Sequence, residues 1–78
     1  MHRTQEKLTA AMERQKALMA EIDTASRALR KIPRGPEYDA ALRAYMRLRW
    51  AHSDAKDDAA MWRKELRRME RWQATHAA

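Results

Sequence analysis

The chain has 78 residues, no cysteine, and 17 Lys and Arg against 11 Asp and Glu, a net charge of +6. A chain this short buries only about 60–65% of the surface its unfolded form exposes, so its own core is marginal. Disulfides and thiolate metal sites are excluded, which leaves self-association as the expected source of further stability.

The first predicted element is a helix over residues 4–32. Its apolar residues recur in steps of three and four, which marks one helical face. As heptads, Leu8, Gln15, Ile22 and Leu29 fall at a, and Ala11, Leu18, Ala25 and Ile32 at d. Met12 and Met19 at e widen that stripe and are expected in the core. Thr4 is the expected N-cap, its hydroxyl accepting from a free first-turn amide. Arg27, Arg30 and Lys31 are placed in the last turns, where cations complement the helix dipole.

A turn is predicted at 33–35. The stretch IPRGPE holds the only glycine and both prolines of the chain. Pro33 disfavours the α conformation at Ile32, Gly35 is expected to supply a positive φ, and Pro36 suits the first turn of a new helix.

The second helix is predicted over 36–76, opened by Glu37 and Asp39 at its positive end. Its a positions are Tyr38, Tyr45, His52, Ala59, Leu66 and Gln73; its d positions are Ala41, Leu48, Ala55, Trp62, Met69 and His76. Heptads sustained over four repeats argue for coiled-coil packing. The expected architecture is all-α: a single antiparallel two-helix hairpin that dimerises into a helical bundle. Counting outward from the corner pairs Leu29 with Ala41, Ile22 with Leu48, Gln15 with His52 and Ala55, and Leu8 with Trp62. The longer second helix should then overhang the first by ~15 Å. Leu66, Met69 and Trp72 on that overhang are the expected dimer contacts.

Catalysis finds no constellation. His2, His52 and His76 match no metal-binding spacing; the first and last are expected as surface histidines, and His52 as part of a polar seam layer beside Gln15. Asp54, Asp57 and Asp58 lack the glycine turn of a calcium loop, and are expected to pair with Lys56 and Arg47. No phosphate loop or activated nucleophile occurs. The expectation is a non-enzyme without metal or cofactor. No apolar run reaches the ~18 residues of a membrane span, and MHRTQEKL is too polar for a secretory signal, which points to the cytoplasm.

Two binding readings remain. Arg63, Lys64, Arg67, Arg68 and Arg71 form a basic run flanked by Trp62 and Trp72, the combination that grips phosphates and stacks on bases. Such a chain would be an RNA- or DNA-binding hairpin dimer of the Rop kind. Against this, Trp62 falls in the seam and Glu65 and Glu70 interrupt the run. The stronger reading is a protein-binding surface. Trp50 falls at f, opposite the seam, with Met46, Arg43 and Arg47 around it. Trp, Met and Arg are enriched at the centres of protein interfaces.

The hairpin built around IPRGPEYDAAL, with Tyr38 at the corner and Trp50 outside, resembles small phage-encoded antagonists of host proteins. It is similar in layout to the quorum-sensing anti-activators of transposable Pseudomonas phages. The resemblance implies a dimeric inhibitor in the host cytoplasm that binds a LuxR-type transcription regulator or the type IV pilus extension ATPase. It also implies Tyr38 and Trp50 as partner contacts.

Overall fold

A computed structural model of the chain describes residues 2–76, with side chains from residue 3 onward; the expectation for the His2 side chain lies outside the described residues. Two helices, α1 (His2–Leu29) and α2 (Pro36–His76), pack against each other as an antiparallel hairpin. The molecule is a rod of 66 × 14 × 14 Å, one helix pair thick.

Every a and d position from Leu8 to Met69 is buried or half-buried, so the heptad pattern is the packing pattern. Among the described residues full burial is confined to small side chains: Ala11, Ala55 and Ala59 are the buried apolar residues, and no large side chain is enclosed. The cause is geometric. Two helices cover a seam residue from one side only, and only a small side chain, alanine or threonine, is short enough to vanish between them. Met12 and Met19, expected in the core, are each 45% exposed, because position e lies at the rim of a two-helix seam.

The corner is longer than the sequence suggests. α1 stops at Leu29 rather than Ile32. The amides of Lys31 and Ile32 then donate to the carbonyls of Ala28 and Leu29, at 3.1 and 3.3 Å, which tightens the exit. Pro33 is the physical reason. Its ring would clash with the carbonyl four residues back, that of Leu29. Arg27 therefore stays in the last helical turn, while Arg30 and Lys31 lie beyond it.

Gly35 does not take a positive φ. Its carbonyl accepts the amide of Asp39 at 3.0 Å, which makes it the N-cap of α2. A residue before proline is held in the extended region, where an N-cap belongs. A Cβ added to Gly35 would meet nothing within 4 Å. Gly35→Ser is therefore expected to stabilise the hairpin by about 0.5–1 kcal/mol, through a capping hydroxyl and a less flexible unfolded chain. Thermal melts followed by circular dichroism should rise by a few degrees, and a fall would show that the corner needs glycine.

The register also differs from the expected pairing. Thr4 lies two residues inside α1, is 8% exposed, and donates its hydroxyl to the Met69 sulfur at 3.4 Å. It is a seam residue and not an N-cap. Ala11 shares a groove with Trp62, and Ala25 with Leu48. Together these set the register about three residues further along α2 than counting from the corner implies. α2 thus outruns α1 at both ends, with residues 30–35 running beside its first turns.

Candidate functional site

The helix period decides which exposed side chains can act together. Arg43, Met46, Arg47 and Trp50 follow one another by three, one and three residues, so they share one face of α2. That face points away from α1. Trp50 is 62% exposed and Met46 is 41% exposed, with both arginines in solvent beside them. Tyr38, placed with them by the resemblance, is half-buried at the corner, as its a position implies. The structure therefore brings four of the five predicted partner residues together and leaves the fifth on another face.

The same face continues into Asp54 and Asp57, both exposed. The expected pairing of the aspartate cluster with Lys56 and Arg47 is absent. Among the described residues the one ion pair is Arg68–Glu65. Lys56 lies two residues from Asp54 and cannot face it, while Arg47 is two turns away. Asp58 turns to another side of the rod, where it borders a groove with Lys7, Arg14 and Trp62. Sequence reasoning missed that Asp54 and Asp57 prolong the Trp50 stripe, although their spacing carried the signal. It also missed Arg49, whose guanidinium lies 5.9 Å from the Tyr45 ring centre.

The basic run on α2 is exposed at Arg63, Lys64, Arg67, Arg68 and Arg71. Arg68 is engaged: its Nε donates to a Glu65 carboxylate oxygen at 3.0 Å, and a terminal nitrogen grips the other oxygen. These hydrogen bonds hold the Glu65 carboxyl below its ordinary range and the Arg68 guanidinium above its own. Both flanking aromatics have other neighbours. Trp62 sits half-buried in the seam with the Lys7 ammonium 4.6 Å from its ring centre. Trp72 stacks on His76, centroids 4.2 Å apart, and its carbonyl lies 2.8 Å from the His76 Nδ1. Of the two rings only Trp72, 59% exposed, borders a groove with one of these arginines, Arg68.

The expected overhang contacts need correction. Leu66 and Met69 are half-buried within the hairpin, and Met69 is covered by Thr4. Only Trp72, 59% exposed, lies on the overhang. Residues 70–76 project past Thr4 by about 10 Å at 1.5 Å per residue. The early start of α1 shortens the free end.

His52 and Gln15 are both half-buried, and no hydrogen bond joins them among the described residues. No group of three or more His, Cys, Asp or Glu among the described residues is placed to hold a metal ion. No helix among them is long and apolar enough to cross a membrane. What the geometry offers is surface chemistry, strongest on the outer face of α2. No protein-family model, curated protein or solved structure matches this chain.

Proposed function

We propose that the chain is a non-enzymatic protein-binding hairpin that docks through the outer face of α2. The exposure of Trp50 carries the reading. An indole 62% in solvent, opposite the seam, contributes nothing to the packing of α1 on α2. Beside Met46, Arg43 and Arg47 it has the composition of an interface centre. The likeness in layout to phage antagonists supplies the further proposal that the bound protein is a host factor. The candidates are a LuxR-type quorum-sensing regulator and the pilus extension ATPase, met in the host cytoplasm.

Trp50→Ala tests the docking. An exposed residue away from packing usually changes stability by less than about 0.5 kcal/mol, so helicity and the melt of dilute protein should stay near wild type. Binding to a purified regulator or ATPase should weaken at least about thirtyfold, the loss of an anchor worth ~2 kcal/mol. Unchanged binding would remove Trp50 from the interface.

The second reading, a nucleic-acid-binding hairpin, is favoured by one observation: Arg63, Lys64, Arg67 and Arg71 have no ion-pair partner among the described residues. Phosphate contacts release counterions, so such binding falls steeply with salt. Tight RNA or DNA binding, lost at high salt and in Arg67→Gln with Arg68→Gln and Arg71→Gln, would put this reading first.

A further inference from the structure

We infer that the occupant of the α2 outer face is a second copy of this chain, packed antiparallel about a two-fold axis at Trp50. The inference rests on the protein-docking reading of that face and sets a second copy there in place of the host factor. What carries it is the order of charges along the stripe. Arg43 and Arg47 precede Trp50 by seven and three residues; Asp54 and Asp57 follow it by four and seven. All four are exposed, and none has an ion-pair partner within its own chain among the described residues.

A two-fold axis makes an interface self-complementary: whatever residue i meets, its mate meets residue i in return. Centred on Trp50, that operation lays Arg43 against the second copy's Asp57 and Arg47 against its Asp54. Each pair occurs twice. A parallel arrangement would set arginine on arginine and aspartate on aspartate, which electrostatics disfavours.

Size complementarity follows the same symmetry. Met46 falls beside the other copy's indole, where a flexible thioether fills irregular space. The intrachain core, in which three alanines and Thr4 are the buried residues among those described, leaves the second copy a stabilising role.

Sedimentation equilibrium of the full chain over a wide concentration range tests the inference. A dimer is expected, weakened by salt. The double variants Arg43→Glu/Arg47→Glu and Asp54→Lys/Asp57→Lys should each raise the dissociation constant at least about tenfold, because every cross-pair becomes like-charged. Mixed in equal amounts, the two should form a heterodimer, since one face is then wholly acidic and the other wholly basic. Trp50→Ala, which leaves the charges alone, should weaken the dimer at least about thirtyfold. Three results would overturn the inference: a chain monomeric throughout, a dimer indifferent to both charge variants, or variants that fail to pair when mixed. If the chain is monomeric yet Trp50→Ala still weakens binding to another polypeptide, the docking reading stands and the second copy falls. If Trp50→Ala affects no protein binding at all, both fall.

Discussion

Ala59→Asp is expected to unfold the hairpin at room temperature. Ala59 is 0% exposed, one turn from the equally buried Ala55. A carboxylate at a position with no exposed surface must leave water, and an uncompensated buried charge costs about 3–5 kcal/mol or more. Two helices with three buried alanines have little stability to set against that loss. Circular dichroism at 222 nm should show most of the helix signal gone. Ala20→Asp, at an exposed position of α1, is the control and should cost under about 1 kcal/mol, the difference in helix propensity. A folded Ala59→Asp would mean that the helices separate easily there, and that the seam is not what holds the rod.

Trp62→Ala is expected to lower the melting temperature by about 10–20 °C. Removing a fully buried tryptophan costs about 3–5 kcal/mol, and the half-burial of Trp62 brings that to roughly 2–3 kcal/mol. A domain of this size loses about 4–8 °C per kcal/mol. Part of the effect comes from Lys7, whose ammonium rests 4.6 Å from the indole centre and contributes about 0.5–1 kcal/mol at an exposed site. Trp62→Phe should restore much of the loss. The comparison with Trp50→Ala in dilute protein separates the two faces of α2, because one indole holds α1 and the other does not. Equal shifts from both would mean that the distinction between seam and docking face is wrong.

Much of the fold was legible in the sequence, for identifiable reasons. Periods of three and four name the face that packs, and each a and d position from Leu8 to Met69 lies on it. Proline and glycine confined to one stretch mark one corner. The position of Trp50 outside the seam follows from the same count, since a residue at f cannot reach a partner helix docked on a and d. For the candidate site, the cluster of Arg43, Met46, Arg47 and Trp50 was equally readable. Tyr38 was assigned to that cluster by resemblance, against the heptad count that puts it at a, and its half-burial follows the count.

Tertiary structure alone decided the register. Sliding one antiparallel helix past the other by a turn keeps every a and d residue on the seam, so periodicity is blind to it. The choice depends on where Pro33 ends α1, on the path of residues 30–35 and on contacts such as Thr4 with Met69. That choice then settles what the sequence left open. It half-buries Met69 and leaves Trp72 on the overhang, and the narrowness of a two-helix seam puts Met12 and Met19 at its rim. Which residues can pack is a property of one helix and its period; how far along they pack is a property of two helices and the loop between them.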